Sequence, residues 1–494
     1  MIKKFNDSIV ILMAVFLMFL LVLVTVPYDL LDVTDLNDYS DTAKFFAGEY
    51  RAKHRSTHSI FYGAMLSPYI ELTKSFSLIK FAPVFWIILT ILSIYYISKK
   101  NRKTLLLFLT CPLVWYLGPW LTPVLPSGFL FLWAYYFMKK FDSDEKLKYI
   151  IYSALTTGIA SAFWDTSLYF ALIFMAVFLY DKKFYFSWIF LLSLFIGLIP
   201  RLLIDFLVFG SPFYGIIKNT GALVIFALYG GAYSQGYSTI ELFRIIDALI
   251  FIPFFFYILY SKKKFVKYKK VMIFITLSLL FILLMNPQPR PLFVIVPIII
   301  LLLGEEISNS QFKKQIIIFI IISLLAITPY LIQSKYETNL IRFTVNPEEY
   351  KNLKISSEIS NKLIIYDLEK IGKEYPNQVF VVGNDKDYYR KFAHFYWGDE
   401  IAEFVSIEDY ELFLKGEDTI ASWEFRSNSR PDLRREIWLK IGLGKNSNDN
   451  TDYEGIKYGL SLDNKLNLEG FEYLKKYNKI YLFIKTPKKF KYPA

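Results

Sequence analysis

The chain has 494 residues, 54% of them hydrophobic, and a mean hydropathy of +0.35. Soluble domains are usually about 45–50% apolar, and here the excess is concentrated in runs such as 9–26, 84–97, 186–199 and 293–303. This distribution is typical of a polytopic membrane protein and excludes soluble, disordered and fibrous proteins. The net charge of +12 arises from lysine-rich loops between the runs, so it does not indicate nucleic acid as a partner.

Cysteine and histidine are scarce. The single cysteine, Cys111, lies inside an apolar run, which excludes a disulfide framework and a cysteine metal cluster. Three histidines in the whole chain argue against a histidine-rich metal enzyme.

The apolar runs predict about eleven membrane-spanning helices. They lie at 8–27, 77–98, 104–118, 124–139, 148–163, 167–180, 184–204, 240–260, 271–286, 291–304 and 315–332. Merged or re-entrant segments within 104–139 and 148–180 extend the predicted range to between ten and twelve spans.

Alternate loops between these spans are basic. They contain Lys3/Lys4, Lys99/Lys100/Arg102/Lys103, Lys139/Lys140/Lys146/Lys148, Lys182/Lys183, Lys262–Lys270 and Lys313/Lys314. Because basic loops stay on the cytoplasmic side, the N-terminus is expected to be cytoplasmic and everything after Leu331 extracytoplasmic. The first span has no small-residue cleavage site before Tyr28, so we expect a retained anchor in the plasma membrane.

Three segments are expected outside: the first loop at 28–76, the loop at 205–239 and the region 333–494. The last alternates helix-like segments with strand-like segments at 378–383, 403–407, 419–425 and 479–485. The sequence therefore predicts an α-helical transmembrane domain over 1–332, followed by an extracytoplasmic α/β domain over 333–494.

The first outer loop begins with five aspartates within thirteen residues, from Asp29 to Asp41. Such carboxylates serve either as a general base that takes a proton from an acceptor hydroxyl, or as oxygen ligands of a divalent cation such as Mg or Mn. The third interpretation is a solvated loop with turn-forming and helix-capping aspartates. Two interfacial helices are predicted in this loop, from Asp38 to Lys53 and over 60–72.

The same segment resembles the first-loop signature of the GT-C glycosyltransferases, a group that includes protein O-mannosyltransferases and aminoarabinose transferases. It reads Asp35-Leu36-Asn37-Asp38-Tyr39-Ser40-Asp41-Thr42-Ala43, followed by Ala47-Gly48. On that register Asp35 corresponds to the family's key aspartate, Tyr39 to its aromatic residue and Ala43 to its alanine. The family's second acidic residue falls at Leu36, and we expect Asp38 or Asp41 to take that role.

Three more segments are similar to the family in the same order along the chain, and the resemblance covers roughly residues 1–335. They are Thr110-Cys111-Pro112 with Pro126-Ser127-Gly128, Ile199-Pro200-Arg201 with Phe209-Gly210-Ser211-Pro212-Phe213, and Asn286-Pro287-Gln288-Pro289-Arg290-Pro291.

The resemblance implies a GT-C fold and a hexosyl- or pentosyltransferase. Such an enzyme moves a sugar from a polyprenyl- or dolichyl-phosphate carrier to a glycan, lipid or protein acceptor, on the outer face of the membrane. The acceptor hydroxyl attacks the anomeric carbon, so a carboxylate base is needed; Asp35 is favoured and Asp38 is second. The leaving lipid phosphate gains charge, so fixed cations are needed beside it.

Arg290, Arg201 and His58 are the candidate phosphate ligands. Arg290 lies in a loop with no other charge, and Arg201 lies in the apolar end of the seventh span, where an ionisable residue indicates function. An arginine fork also suits phosphate. The alternatives are that Arg290 extends to the membrane interface and that Arg201 pairs with Asp205, four residues on.

His54 and His58 belong to a basic stretch of the first outer loop. Three roles are open for them: contact with the carrier phosphate or the acceptor, metal binding together with aspartates such as Asp41, or a polar loop face. Asp41 and His54 are accordingly candidates for acceptor or metal binding.

Three other functions are alternatives to a glycosyltransferase. An oligosaccharide polymerase or ligase with a diphosphate-linked donor would more often carry its arginines in a large late outer loop. A transporter would show paired repeats with broken helices, and none is seen. A non-catalytic scaffold would keep its function after replacement of Asp35 and Asp38.

Overall fold

The computed structural model describes residues 7–25, 33–48, 60–73, 76–79, 81–217, 220, 248–252, 262–285, 289–331, 361–375, 379–382, 401–403, 456–462, 464 and 470–486. These residues are mostly helical up to residue 331, and a small sheet follows in the C-terminal region.

The α-helices follow one another with short connections where the chain is described continuously. In chain order they are α1 (Asp7–Thr25), α2 (Val33–Phe46), α3 (Ile60–Thr73), α4 (Phe76–Ile79), α5 (Ala82–Ile97), α6 (Arg102–Leu109), α7 (Pro112–Leu117), α8 (Val124–Asp144), α9 (Leu147–Phe163), α10 (Ser167–Leu179), α11 (Phe184–Phe209), α12 (Lys262–Lys267), α13 (Lys269–Met285), α14 (Val296–Glu306), α15 (Asn309–Leu331) and α16 (Asn361–Glu374). A 3₁₀ helix, Arg290–Val294, precedes α14.

Two stretches of described helix are long and apolar enough to cross a membrane, Phe184–Phe209 and Asn309–Ile327; the shorter apolar helices are Asp7–Leu23, Ala82–Ile97 and Ser167–Leu179. The predicted span at 104–118 is divided into α6 and α7. Cys111 adopts an extended conformation there, as the residue before a proline tends to do. The count of eleven spans stays a prediction, because the predicted span at 240–260 is described only at 248–252.

Ion pairs gather the basic loops at one end of the bundle. The pairs are Arg102 with Asp7 at 3.4 Å, Lys139 with Glu305 at 3.2 Å, Lys267 with Glu306 at 2.6 Å, Lys270 with Asp181 at 2.7 Å, and Lys182 with Asp142 at 3.8 Å. Each contributes little stability, since these side chains are partly exposed. They nevertheless join the helix ends that the charge pattern assigns to a common side of the membrane.

Helices α9 and α11 cross closely because each has a glycine at the contact. A Cβ at Gly158 would lie 2.2 Å from the carbonyl oxygen of Leu194, and one at Gly197 would lie 2.6 Å from that of Leu155. Small residues allow such close approach of membrane helices. The crossing lies one helical turn before Arg201 on α11, so it fixes the position of that arginine relative to α9.

The C-terminal region forms a five-stranded sheet in the order β2-β1-β3-β5-β4. Its strands are β1 (Val379–Val382), β2 (Ile401–Glu403), β3 (Ile456–Ser461), β4 (Phe471–Lys476) and β5 (Tyr481–Lys485). β1 runs parallel to β2 and β3, whereas β5 runs antiparallel to β3 and β4. The strands predicted at 378–383 and 479–485 are present, β3 and β4 are additional, and 419–425 lies outside the described residues.

Buried apolar side chains form two clusters. The larger fills the helical bundle and includes residues of α5, α6, α8, α10, α13 and α14. The second, which we call the outer cluster, joins Tyr39 and Ala43 of α2, residues of α3, the end of α9, and Leu368, Ile371 and Leu482 of the C-terminal region. The first-loop helices and the C-terminal region thus share one apolar core.

Candidate functional site

Helix α2 carries the aspartates predicted to be catalytic. Asp35, Asp38 and Asp41 lie on this helix, which begins at Val33 and ends at Phe46, so it starts and stops earlier than the predicted Asp38–Lys53. Gly48 follows with a φ of 96°. A left-handed glycine is a common helix stop, because it places no Cβ in that conformation. His54 and His58 lie outside the described residues.

Helix α3 holds α2 in place through close packing. Tyr39 and Tyr62 are buried, and their rings meet edge to face with centroids 4.9 Å apart. A Cβ at Gly63 would lie 2.5 Å from the Cβ of Thr42, so α2 and α3 approach closely only with glycine there. The family-signature residues Tyr39 and Ala43 are therefore packing residues of this helix pair.

The Tyr62 hydroxyl is a buried polar group at the centre of that pair. It has no hydrogen-bond partner within the part of the chain that the structure describes. Burial raises its pKa above the ordinary value of 10.0, so the hydroxyl remains a proton donor at neutral pH.

Arg201 lies in a buried charge cluster on α11. Its Nη1 donates to Oδ1 of Asp165 at 2.5 Å, and its Nε donates to Oδ1 of Asp205 at 3.0 Å. Arg201 and Asp205 are 0% exposed and Asp165 is 8% exposed. The pairing with Asp205, one of the two alternatives for Arg201, is thus present, and a second carboxylate joins it.

Gly215 contacts both Asp205 and Arg201 of this cluster. Its backbone N–H donates to Oδ2 of Asp205 at 3.3 Å. A Cβ at Gly215 would lie 2.3 Å from Nη2 of Arg201, so the chain passes directly over the guanidinium. Within the described residues, that Nη2 has no hydrogen-bond partner. Two carboxylates and one guanidinium give the cluster a formal negative charge when all three are ionised.

Sequence reasoning missed Asp165. It lies in the three-residue connection between α9 and α10, 36 residues before Arg201. The signal that could have found it is a single carboxylate in a very short loop on the same predicted side of the membrane as an arginine in an apolar helix end. Nothing in the spacing indicates that the two side chains meet.

Packing connects the first-loop helices to this cluster. Phe61 and Tyr62 of α3 contact Phe163, with ring centroids 4.9 and 6.2 Å apart. Phe163 ends α9, two residues before Asp165. The helix pair that carries Asp35 and Asp38 therefore packs directly beside the loop that carries Asp165.

Arg290 begins the 3₁₀ helix at the same predicted side of the membrane. Its guanidinium carbon lies 5.2 Å from the centroid of the Trp120 ring, and it is partly buried. Trp120 is only 5% exposed, so it is a buried partner of Arg290 rather than an exposed interfacial anchor. A guanidinium held over an aromatic face is attracted to the ring and restricted in position.

The described residues do not test the predicted metal site. No group of three His, Cys, Asp or Glu side chains among them is arranged to hold a metal ion. The predicted ligands are not among these side chains, because His54 lies outside the described residues and Asp41 is described only by its position on α2. The metal site stays a prediction.

No family model matches the chain, and no curated protein sequence does. Solved structures do match it, among them two of one protein. ArnT from Cupriavidus metallidurans bound to undecaprenyl phosphate has a TM-score of 0.59 and 11% identity, covering 95% of this chain and 97% of its own. Apo ArnT has a TM-score of 0.59 and 12% identity, covering 97% and 98%.

The chain has the fold of ArnT. The resemblance to the GT-C group, and to its aminoarabinose transferases, is thereby confirmed for the fold. A polytopic membrane architecture follows from it, whereas the number of spans and the side on which each terminus lies stay predictions. Since the ArnT match covers nearly all of both chains, it includes the C-terminal region as well as the bundle.

Proposed function

We propose that this protein is a membrane glycosyltransferase that takes a sugar from a polyprenyl-phosphate carrier. The observation that carries the proposal is the end-to-end likeness to an ArnT structure bound to undecaprenyl phosphate, over 95% of this chain. Because one fold can host several functions, the proposal also depends on polar residues that suit this chemistry. The sugar and the acceptor are left open, as is a dolichyl carrier.

In the proposed reaction, an acceptor hydroxyl oxygen attacks the anomeric carbon of the donor sugar. The bond from that carbon to the phosphate oxygen breaks, and the lipid phosphate leaves with the electron pair. The hydroxyl proton passes to a carboxylate on α2, for which we propose Asp35, with Asp38 as the second candidate. Both positions lie on a helix held by α3.

Arg290 is the proposed phosphate ligand. A guanidinium makes paired hydrogen bonds to phosphate oxygens and remains charged at any physiological pH. It would stabilise the negative charge that grows on the leaving phosphate. His58 is proposed as a second contact, because it belongs to the basic stretch that follows α2 in sequence.

For Arg201 we propose a role other than phosphate binding. Both Asp165 and Asp205 hydrogen-bond it inside the bundle. We propose that it holds Asp165 at the predicted outer side, where this carboxylate would accept hydrogen bonds from sugar hydroxyls. Asp41 and His54 are kept as proposed acceptor or divalent-cation ligands, and the C-terminal region is proposed to steady the first-loop helices.

The test uses the full-length protein in nanodiscs with a panel of polyprenyl-phosphate sugars. Donor binding and sugar release or transfer are measured for wild type, Asp35→Asn, Asp38→Asn and Arg290→Ala. We expect Asp35→Asn to bind donor with unchanged affinity and to lose at least about a hundredfold in turnover, as removal of a general base does. Arg290→Ala should weaken donor binding by about tenfold to a hundredfold.

Matched controls are available at the opposite end of the bundle. Asp144→Asn replaces an exposed carboxylate at the end of α8, and Arg102→Ala replaces a partly exposed arginine paired with Asp7. Both should behave as wild type. The proposal is wrong if a folded wild-type protein binds no donor, or if Asp35→Asn and Asp38→Asn both keep full turnover; the transporter and scaffold alternatives would then be favoured.

A further inference from the structure

The ring of Trp120 is buried among other aromatic rings. It contacts Tyr116, with ring centroids 5.3 Å apart, and Tyr116 in turn contacts Phe251, with centroids 4.9 Å apart. The backbone N–H of Trp120 donates to the carbonyl of Leu117 at 2.9 Å, which closes a turn after α7. The indole therefore offers Arg290 a fixed surface.

The backbone that carries Arg290 is equally constrained. Pro289 and Pro291 flank it, and Leu292, Phe293 and Val294 are 0% exposed. A Cβ at Gly128 would lie 2.4 Å from Cδ1 of Phe293, so the 3₁₀ helix rests directly on the start of α8. The backbone that carries Arg290 and the ring that its guanidinium contacts are therefore both held by packing.

Stacking and phosphate binding use different parts of a guanidinium. The cation–π contact engages its face, whereas hydrogen bonds to phosphate lie in its plane. A ring centroid 5.2 Å from the guanidinium carbon restricts the positions that the guanidinium can take. Orientation before binding lowers the entropy cost of holding a ligand.

We propose that Trp120 is a positioning residue that acts through Arg290 to orient its guanidinium toward the phosphate of the lipid carrier. This inference rests on the proposed function. It predicts that the contribution of Trp120 to donor binding exists only when Arg290 is present and only when the ligand carries a phosphate.

The experiment measures binding of two probes, undecaprenyl phosphate and undecaprenol, to full-length protein in nanodiscs. The variants are Trp120→Leu, Trp120→Phe, Arg290→Ala and the double variant Trp120→Leu/Arg290→Ala. Trp120→Leu should weaken undecaprenyl phosphate binding about tenfold, while Trp120→Phe, which keeps an aromatic face, should stay within about threefold of wild type. Undecaprenol binding should be the same in all of them.

The double variant decides whether Trp120 acts through Arg290. In the Arg290→Ala background, Trp120→Leu should add less than about a twofold loss, because the interaction that it removes is already gone. The control is Trp188→Leu, at a tryptophan that is 55% exposed on α11, and it should bind as wild type.

Several outcomes would overturn the inference. They are wild-type affinity of Trp120→Leu for undecaprenyl phosphate, an equal loss for undecaprenol, a full additional loss in the Arg290→Ala background, or an equal loss in Trp188→Leu. In each case Arg290→Ala can still weaken phosphate binding, so the proposed function stands. If folded wild type binds no undecaprenyl phosphate, the proposed function and this inference both fail.

Discussion

A guanidinium enclosed by two carboxylates inside a helical bundle is stable only as a complete unit. Arg201 is 0% exposed and is held by Asp165 and Asp205, so its removal would leave two buried carboxylates without their cation. We expect Arg201→Ala to destabilise the protein by about 3–5 kcal/mol. Arg201→Lys should recover part of this, since an ammonium restores the charge without the fork.

Thermal unfolding in detergent provides the measurement for this prediction. Arg102→Ala is the matched control, because that arginine is 38% exposed and its carboxylate partner is 3.4 Å away. Exposed pairs contribute about 0–1 kcal/mol. Similar losses of stability for Arg201→Ala and Arg102→Ala would show that the buried ion pairs contribute no more to the fold than an exposed pair does.

At the scale of single residues, the sequence indicates which side chains are candidates for a site but not which residues they contact. Arg201 stands out in the sequence as a candidate, because an ionisable group in an apolar run is costly, and its spacing from Asp205 is that of neighbours on one helix face. Asp165 was not predictable, since only the crossing of α9 and α11 brings it to Arg201. The contact of Arg290 with Trp120 likewise joins distant parts of the chain.

At the scale of elements, the contact between α2 and α3 determines where the aspartate-bearing helix lies. A Cβ at Gly63 would be 2.5 Å from Cβ and 2.6 Å from Cγ2 of Thr42. We expect Gly63→Ala to force the helices apart and to destabilise their contact by about 1–3 kcal/mol, as overpacking does. Turnover should fall more than undecaprenyl phosphate affinity, because α2 carries the proposed base and Arg290 lies elsewhere.

This prediction is checked by the turnover number and donor affinity of Gly63→Ala, measured in nanodiscs. Met65→Ala, at a side chain that is 53% exposed on the same helix, is the control and should change neither quantity by more than about twofold. Unchanged turnover in a stably folded Gly63→Ala would mean that the α2–α3 approach does not position the base.

Element boundaries were less predictable than element types. Apolar run length predicts helices at the spans up to residue 332, and the described residues of those spans are mostly helical. Run length alone does not predict that the helix at 104–118 breaks at Cys111. That break depends on the local effect of Pro112 on the residue before it. Strand β4 is largely exposed and carries polar and charged residues, so its alternation is weak in the sequence.

At the scale of the whole molecule, the buried apolar side chains of the described residues fall into two clusters. The bundle cluster holds the spans, whereas the outer cluster holds the first-loop helices together with the C-terminal region. Composition and strand signals predict a polar C-terminal α/β region. That its core would be shared with α2 and α3 was not predictable, because no sequence pattern relates residues so far apart.

Ile371 offers a test of that shared core. It is 0% exposed on α16 and belongs to the outer cluster with Tyr39 of α2 and Tyr62 of α3. Ile371→Asp would bury an unpaired carboxylate, which an apolar core does not tolerate. Since elements that share a core open together, amide hydrogen exchange should rise at least about tenfold in α2 and α3 as well as in α16.

The bundle supplies the internal reference for this experiment. Side chains of α6 and α14 belong to the other cluster, so the amides of these helices should keep their wild-type exchange in Ile371→Asp. Tyr366→Asp, at a side chain that is 56% exposed on the same helix, should leave all of these segments unchanged. If exchange rises only in α16 and the strands, the C-terminal region is independent of the first-loop helices. If exchange rises only in the elements of the outer cluster and turnover is lost, the C-terminal region supports the helix that carries the proposed base.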